Sequence, residues 1–297
     1  MLKAMIARNV KIFFKDRGMF FTALVTPMIL LVLYATFLGK VYTDSLTQSI
    51  PEGLGLKGEL IDAAVAGQLL SSILAVCCVT VAFCSNLLLV QDKLNGARKD
   101  LTVAPVKNSV LSLSYYVATV LSTLIVCFAA MGACLLYVRS RGWYLSAADV
   151  VGIAADVVLL TLFGTALSSL INVFLSTQGQ ISAVGTIVSA GYGFLCGAYM
   201  PISNFGSGLQ KVLSFLPGTY GTSLLRNHAL RGAFAEMTIQ GLPEELVEGF
   251  QKAMDCRLYF FGTEVTIPAM YLYLAATVAV LVAVYVVLSV VKERKRI

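Results

Sequence analysis

The sequence predicts an all-α integral membrane protein with six transmembrane helices, and two features of its composition support this. Of its 297 residues 58% are hydrophobic and 13% are charged, whereas soluble domains are about half apolar and about a quarter charged. The charges are also confined to short segments, because more than half of the chain lies in stretches without Asp, Glu, Lys or Arg. These stretches are 18–39, 63–91, 108–138, 157–210 and 265–291.

Each stretch is long enough to cross a membrane, since a transmembrane helix needs roughly 20 apolar residues. The first three and the last hold one span each, and 157–210 holds parts of two. We place the spans at about 19–39, 65–90, 110–138, 150–174, 180–200 and 268–291. This pattern excludes a soluble enzyme, a disordered chain and a nucleic-acid-binding domain.

The segment before the first span, residues 1–17, has the pattern of an amphipathic cytoplasmic helix at the membrane interface. Apolar residues recur at helical spacing along one side and basic residues along another, which suits a helix lying against anionic headgroups. The apolar side consists of Leu2, Ile6, Val10 and Phe13, and the basic side of Arg8, Lys11 and Lys15. The helix is equally well interpreted as a membrane anchor or as a docking element for a cytoplasmic partner.

The remaining residues, 18–297, form one transmembrane domain whose orientation follows from its basic residues. Lys and Arg outnumber Asp and Glu in segments 1–17, 92–107 and 292–297. The positive-inside rule therefore places both termini and 92–107 in the cytoplasm, and the longest connector, 201–267, outside. We expect a multi-pass protein of the cell (plasma or inner) membrane.

The external segment 201–267 is predicted to contain helices. Its first part, as far as Arg226, is too apolar for a solvated loop and too rich in Gly and Pro for one helix. We therefore expect two short re-entrant helices in the outer half of the membrane, covered by protein. Its second part predicts an amphipathic helix from Pro243 to Met254, because Pro followed by two acidic residues suits a helix start. The apolar face of that helix consists of Leu246, Val247, Phe250 and Met254.

Asp156 is the only acidic residue embedded within a predicted span. Ionisable side chains inside membranes are rare and commonly functional, so a proton-coupling role is one interpretation. Asp156 lies about 9 Å from the start of its span at 1.5 Å per residue, which favours a structural carboxylate with a partner near the outer boundary. Gln68, Asn86 and Asn172 are isolated polar residues, better suited to hydrogen bonds between helices than to binding substrate.

The fifth span carries small residues at every fourth position: Gly185, Ser189, Gly193 and Gly197. Such a stripe allows two helix backbones to approach closely, and it predicts a tight helix–helix contact within the subunit or across a dimer. Aromatic residues of the spans could line a substrate path or simply face lipid. They include Phe83, Tyr192, Phe194 and Tyr199.

Nothing in the sequence predicts a catalytic centre, a metal site or a disulfide framework. Six of the seven cysteines lie in apolar stretches, where cysteine behaves as a small hydrophobic residue, and Cys256 alone lies in a polar loop. The single histidine, His228, cannot form a metal site by itself. The phosphate-binding motif GxxxxGK[ST] is absent, so we expect no ATP binding by that route and no cofactor in this chain.

Three segments, in this order along the chain, resemble the ABC transporter type-2 permease family. The first is the basic helix that runs into a Pro-containing span, ARNVKIFFKDRGMFFTALVTPMILLVLY. The second follows the second span and reads QDKLNGARKDLTVAPVKNSVL. The third has an apolar-Gly-x-x-x-Pro pattern and a later Leu-Pro, in LCGAYMPISNFGSGLQKVLSFLPGTYGTSLLRNHALRG. Together they cover most of the chain.

The resemblance implies the membrane subunit of an ATP-driven exporter, itself without catalytic activity. In that family the N-terminal helix and a short coupling helix after the second span contact a separate cytoplasmic ATPase subunit, which binds ATP and Mg²⁺. Here the coupling helix is 93–106, within the coupling loop 92–107. The implied ATPase-contacting residues are Arg8, Lys11, Lys15, Asp92, Lys93, Leu94, Gly96, Arg98, Lys99, Asp100, Leu101 and Pro105.

The resemblance also implies a pore formed with a second permease subunit, identical or merely similar. The second and fifth spans then line a substrate path near the subunit interface, at Phe83, Asn86, Ser189, Tyr192 and Tyr199. The alternative is an ion-gradient-driven secondary transporter or channel, which needs ionisable residues at the membrane midplane or an inverted repeat. The sequence shows neither feature, and none of the motifs indicates the substrate.

Overall fold

The computed structural model describes residues 1–50, 58–98, 101 and 108–294, which form helices and one short hairpin. In chain order the helices are α1 (Leu2–Lys15), α2 (Arg17–Leu33), α3 (Gly39–Gln48), α4 (Gly58–Asn86), α5 (Leu88–Leu94), α6 (Asn108–Arg141), α7 (Ala147–Phe174), α8 (Gln178–Leu195), α9 (Ser207–Leu213), α10 (Pro217–Ile239), α11 (Glu244–Ala253) and α12 (Ile267–Arg294). A π-helical turn, Tyr34–Leu38, joins α2 to α3, and a short 3-10 turn, Ile202–Asn204, precedes α9. Strands β1 (Leu258–Phe260) and β2 (Thr263–Val265) pair antiparallel before α12.

Five helical segments in the described part of the chain are long and apolar enough to cross a membrane. They are Arg17–Gln48, Gly58–Leu94, Val110–Arg141, Ala147–Phe174 and Ile267–Leu288. The sixth predicted span, 180–200, is also helical, as α8, but it is not one of these five. Glycine, glutamine and serine residues lower the hydropathy of α8. That α8 crosses the membrane stays a prediction, whereas an all-α membrane protein with several spans is confirmed.

Local sequence signals fix the start of two helices. Ser146 and Asp149 form a capping box at α7, in which each side chain accepts a hydrogen bond from the backbone N–H of the other residue. Thr177 and Gln180 form the same arrangement at α8. Both caps satisfy backbone N–H groups that lack a helical partner, and the second one directly follows the short turn between α7 and α8.

The second span, α4, is the centre of the bundle. Helices α2, α6, α7, α8 and α10 pack against it, and nearly all of its apolar length is buried. The last span, α12, exposes most of its apolar length, as expected of a helix that faces lipid. Helices α4 and α7 approach closely where Gly164 lies against the backbone of Cys78 and Val79 and leaves no space for a side chain.

Helix α10 inserts between α4, α7 and α12 and is longer than the sequence predicted. Instead of two short helices, the chain after 201 forms the short α9 and the 23-residue α10. Gly221 lies against Leu160 in the middle of α7, and Gly152 near the start of α7 lies against His228, so the two helices are antiparallel. Leu160 is about 20 Å along α7 at 1.5 Å per residue. The first turns of α10 therefore reach the middle of the bundle, while their re-entrant position in a membrane stays a prediction.

Helix α11 agrees with the amphipathic helix predicted between Pro243 and Met254. Its residues Val247 and Phe250 are buried in a second hydrophobic cluster, formed with the ends of α3, α4 and α10. Cys256 lies in a loop, as predicted, but it is buried in the same cluster. Burial raises the pKa of the Cys256 thiol to about 12. All seven cysteines of the chain are unpaired.

Candidate coupling site between the N-terminal helix and the second span

Helix α1 packs on the bundle through a narrow buried face. Met5, Asn9 and Phe13 are four residues apart, so they lie on one side of the helix, and all three are buried. The helix contacts α6 and α2. The predicted apolar side shares only Phe13 with this face, and its other members lie at the edge, half-buried. The buried face of α1 therefore lies on a different side of the helix from the predicted apolar side, because it is centred on the polar residue Asn9.

The main polar contact of α1 is made by Arg8. Arg8 Nη1 lies 2.7 Å from Asp92 Oδ2 and Arg8 Nη2 lies 3.2 Å from Asp92 Oδ1, so the guanidinium binds both carboxylate oxygens. Tyr115 Oη donates a hydrogen bond of 2.5 Å to Asp92 Oδ2. Asp92 lies in α5 and Tyr115 near the start of α6. This Arg8–Asp92–Tyr115 cluster therefore connects the N-terminal helix with the second and third spans.

The two charged members of the cluster differ in exposure. The Asp92 side chain is 8% exposed and the Arg8 side chain 33% exposed. The hydrogen bond from Arg8 to Asp92 raises the pKa of the guanidinium above its ordinary value, so Arg8 stays charged. Because water reaches one side of the pair, the Coulomb attraction is weaker than in a fully buried pair, and the contact can open without isolating Arg8.

The chain after Asp92 is attached to the end of the fourth span. Lys93 Nζ donates a hydrogen bond of 3.0 Å to the backbone carbonyl of Asn172, in the last turn of α7, where a cation is favourable. Helix α5 ends at Leu94, and Gly96 follows with a φ of 80°, a left-handed conformation that glycine adopts without strain. The backbone is helical again at 97, 98 and 101, in the region of the predicted coupling helix.

Apart from Lys93, which binds the end of α7, and the half-buried Gly96, the predicted ATPase-contacting residues fall into three groups. Asp92 and Arg8 bind each other, so the Asp92 carboxylate is occupied within the subunit and does not form part of an open surface. Exposed or half-exposed side chains, which a partner could reach, are Lys11, Lys15, Leu94, Arg98 and Leu101. Lys99, Asp100 and Pro105 lie outside the described residues. Contact with an ATPase subunit stays a prediction for all of them.

Comparison with protein families identifies the family of the chain. The sequence model of the ABC-2 type transporter family matches residues 1–229, from α1 into α10. The chain belongs to the ABC-2 type transporter family. It is thus a permease subunit of an ABC-2 type transporter, and membrane subunits of this family generally pair with an ATPase subunit. No curated protein matches the chain.

Two residues that we predicted to line the substrate path of this ABC-2 permease lie inside the bundle instead. Phe83 is buried, and Asn86 Nδ2 donates hydrogen bonds to Ser168 Oγ at 3.0 Å and to Ser169 Oγ at 2.8 Å on α7. A buried amide needs such partners. Asn86 is therefore an interhelical hydrogen-bonding residue in this conformation, in agreement with the alternative given for isolated polar residues. Tyr192 also packs inward, against α10.

The small-residue stripe of α8 does not form one continuous interface in the described part of the permease. Gly193 lies against the ring of Tyr199, and Gly197 ends the helix with a φ of 75°. The Ser189 carbonyl accepts a hydrogen bond of 3.3 Å from α2. Among the described residues no side chain lies close to Gly185. A contact of the stripe across a dimer stays a prediction.

Asp156 has partners, as its shallow position favours. His228 Nδ1 lies 2.7 Å from Asp156 Oδ2, and Tyr271 Oη donates a hydrogen bond to Asp156 Oδ1. The carboxylate thus joins α7, α10 and α12 near the start of α7. The His228 side chain is 17% exposed, so protons have access to the pair, and the proton-coupling interpretation stays open.

One polar site was missed from the sequence. Arg226 of α10 is fully buried, with Nη1 3.0 Å from Asp255 Oδ2 and Nη2 donating to the Gly197 carbonyl at 2.6 Å. Asp255 also accepts hydrogen bonds from the backbone N–H groups of Ile202 and Ser203. The one signal in the sequence is an arginine in an otherwise apolar segment, since a buried charge needs a partner. We call this arrangement the Arg226–Asp255 pair.

Proposed function

We propose that this chain is the transmembrane subunit of an ATP-driven exporter and that the Arg8–Asp92–Tyr115 cluster transmits the movement of a cytoplasmic ATPase subunit. The bidentate contact of Arg8 with Asp92 carries the proposal, because it joins the N-terminal helix to the end of the central span. A partner that binds the exposed side of α1 and the chain after Leu94 would move both elements together. Since α5 continues the span of α4, this movement reaches the centre of the bundle.

In this proposal the ATP and Mg²⁺ sites belong to the ATPase subunit, because the permease sequence contains no GxxxxGK[ST] motif. The permease has no catalytic role of its own. It works with a second permease subunit, identical or similar, and the substrate path lies at their interface. Both termini and the chain from 92 to 107 are cytoplasmic, as the basic residues there favour.

The experiment separates assembly from coupling. The permease is co-expressed with its ATPase and reconstituted in vesicles, and both co-purification and ATP hydrolysis are measured. Lys11→Ala, Lys15→Ala and Arg98→Ala remove exposed or half-exposed cations and should weaken co-purification. Asp92→Asn keeps the shape of the side chain but removes its charge, so it should leave co-purification intact and lower hydrolysis roughly tenfold, within the usual range of coupling free energies.

Lys3→Gln is the matched control, because Lys3 is an exposed cation of α1 outside the cluster. It should change neither co-purification nor hydrolysis. Normal hydrolysis in Asp92→Asn, measured with an intact complex, would contradict the proposed role of the cluster. If no ATPase subunit co-expressed with the unaltered permease co-purifies with it, the proposed coupling to ATP hydrolysis is contradicted.

The secondary transporter is the second candidate, and the partly exposed Asp156–His228 pair is the observation that favours it. It predicts transport that a protonophore abolishes and that ATP does not drive. In the exporter, a protonophore should leave ATP-driven transport unchanged, and Asp156→Asn should affect stability more than rate.

A further inference from the structure

Two cavities meet beside the start of α12. The larger, of about 710 Å³, is walled mainly by apolar and aromatic side chains, among them Phe215, Phe260, Val265 and Tyr273. The smaller, of about 110 Å³, is lined by polar and charged groups that include Gln210, Lys252 and Arg257. Ser214 and Tyr220 line both cavities, so an apolar space adjoins a polar one. We call the two together the composite cavity.

The walls of the apolar part are joined by hydrogen bonds and ring contacts. Tyr273 Oη donates a hydrogen bond of 2.8 Å to the Phe215 carbonyl, and Tyr220 Oη donates one of 2.6 Å to the Ser214 carbonyl. The rings of Tyr220 and Tyr273 meet edge to face at 5.0 Å, and those of Phe215 and Phe260 at 5.2 Å. These contacts hold the walls in place without filling the space, as in sites that accept an apolar ligand.

The position of the cavity along α12 places it at a membrane boundary. Ala269 and Tyr273 line it and lie within the first two turns of a membrane-spanning helix that begins at Ile267. Tyr273 is about 9 Å from that start at 1.5 Å per residue. This is the depth at which headgroups give way to acyl chains, since the polar layers add several ångströms to a hydrocarbon core of about 30 Å.

The hairpin that forms one wall ends in an exposed aromatic residue. Phe261 has a φ of 49° and Gly262 a φ of 90°, so both central residues of the two-residue turn are left-handed. This conformation is strained for a residue with a Cβ, and Asn or Gly usually takes the first position. The Phe261 ring is nevertheless 60% exposed. An aromatic side chain kept here fits a hairpin that meets the membrane interface, where such rings are enriched.

Among the charged groups that line the composite cavity, which include Glu264 at 3.8 Å from Arg257, Lys252 alone lacks an ion-pair partner in the described residues. Asp255 is bound by Arg226, and Arg257 is bound by Glu248 at 3.0 Å. Lys252 lies over the Tyr259 ring at 5.2 Å, and no carboxylate of the described residues forms an ion pair with it. Lys211 lies likewise over the Phe261 ring, at 5.8 Å. Lys252 therefore stands in the cavity lining without an anionic partner among those residues, and Lys211 stands outside that lining, over the exposed Phe261 ring.

We propose that the composite cavity binds a phospholipid with an anionic headgroup from the adjoining leaflet. One acyl chain occupies the aromatic cavity, and the phosphate lies beside Lys252 and Lys211. An anionic lipid fits both the apolar volume at acyl-chain depth and the free cations at headgroup depth. A soluble peptide fits the apolar volume less well, and a neutral lipid fits the cations less well. The site lies away from the Arg8–Asp92–Tyr115 cluster and does not depend on the proposed function.

Quenching by brominated lipid tests this directly. The chain has one tryptophan, so Phe260→Trp in a Trp143→Phe background places a single fluorophore in the cavity wall. Phosphatidylcholine vesicles are prepared with increasing fractions of one brominated lipid. This lipid is either phosphatidylglycerol or phosphatidylcholine, and both carry bromine on the same acyl carbons. Brominated phosphatidylglycerol should reach half-maximal quenching at a fraction on the order of tenfold lower, as one charge-assisted contact implies.

Two further variants separate the headgroup from the acyl chain. Lys252→Gln, combined with Lys211→Gln, should abolish the preference for phosphatidylglycerol, and Lys40→Gln, which removes an exposed cation of α3, should preserve it. Ala269→Phe fills the apolar cavity and should reduce quenching by both lipids. Mass spectrometry of the unaltered chain, released from micelles of both lipids, should show retained phosphatidylglycerol. Equal quenching by the two lipids, or a preference that survives loss of both lysines, would overturn the proposal.

Discussion

The Arg8–Asp92–Tyr115 cluster and the Arg226–Asp255 pair lie towards opposite ends of the same span and differ in how far water reaches them. Asp92 ends the segment Gly58–Leu94, whereas Gln68, whose amide is 3.2 Å from Arg226 Nε, lies about 36 Å away along it at 1.5 Å per residue. The side chains of Arg226 and Asp255 are 1% and 4% exposed, and that of Arg8 is 33% exposed.

This difference separates a fixed contact from one that can change. A buried guanidinium that loses its carboxylate has no water to replace it, so the Arg226–Asp255 pair must stay closed in every folded state. Water reaches Arg8, and Asp92 keeps the hydrogen bond from Tyr115 when Arg8 leaves, so this contact opens at a lower cost than the buried pair. The end of the bundle at α10 is therefore held in one arrangement, while the end at α1 can be rearranged by a partner.

The largest expected effect is at the buried pair. Arg226→Met should lower the free energy of unfolding by about 3–5 kcal/mol, because it leaves Asp255 buried and without its cation. The measurement is thermal or denaturant unfolding of the purified permease in detergent. Arg141→Met is the control, since Arg141 is exposed and contacts only the ring of Tyr137, at 5.4 Å, among its described contacts. A similar loss in both variants would show that the loss in Arg226→Met does not come from the buried pair.

A smaller effect is expected at the Arg8–Asp92–Tyr115 cluster. Arg8→Gln should lower the free energy of unfolding by about 1–3 kcal/mol, the cost of a buried acceptor that loses one partner. The loss is not larger because Tyr115 still donates a hydrogen bond to Asp92. Tyr115→Phe, which leaves the bidentate contact in place, should cost less than Arg8→Gln. The same unfolding assay measures both variants. A loss in Arg8→Gln as large as in Arg226→Met would mean that the cluster is as rigid as the buried pair.

The smallest expected effect concerns pH. The hydrogen bond with Asp156 raises the pKa of His228 above its ordinary 6.5, with Asp149 adding to the rise and burial and Arg231 opposing it. The folded state therefore binds the proton more tightly than the unfolded state. The resulting stabilisation is fully present below pH 6.5 and is lost as pH rises through the raised pKa. Melting temperatures across this range should fall with pH in the unaltered chain.

His228→Gln provides the matched control for this pH dependence. His228 is the only histidine of the chain, so the variant should remove the slope of the melting temperature above pH 6.5. An unchanged slope would show that another group is responsible. It would also show that the exposed edge of the Asp156–His228 contact does not respond to protons.

The sequence predicts the spans well and the polar contacts poorly. Charge-free stretches located the five helices that are long and apolar enough to cross a membrane, and the pattern after Pro243 located α11, because both signals are local in the sequence. No local pattern relates Arg226 to Asp255 or Arg8 to Tyr115, since these partners are far apart in the chain and meet only after the helices pack.

The length of α10 was predicted wrongly for a related reason, which concerns its glycine residues. In a sequence, Gly221 indicates a helix break, whereas in the bundle it provides the space for Leu160 of α7. Asn9 is the corresponding case in α1, where a polar residue occupies the centre of the buried face. In both helices tertiary packing overrides local propensity.

A double-mutant cycle on Arg8 and Asp92 tests the central claim most directly. ATP hydrolysis by the reconstituted permease–ATPase complex is compared for the unaltered chain, Arg8→Gln, Asp92→Asn and the double variant. If the cluster acts as one unit, each single change lowers hydrolysis roughly tenfold and the double variant is no slower, which corresponds to an interaction free energy of about 1.4 kcal/mol. A double variant whose loss equals the product of the two single losses would contradict the account.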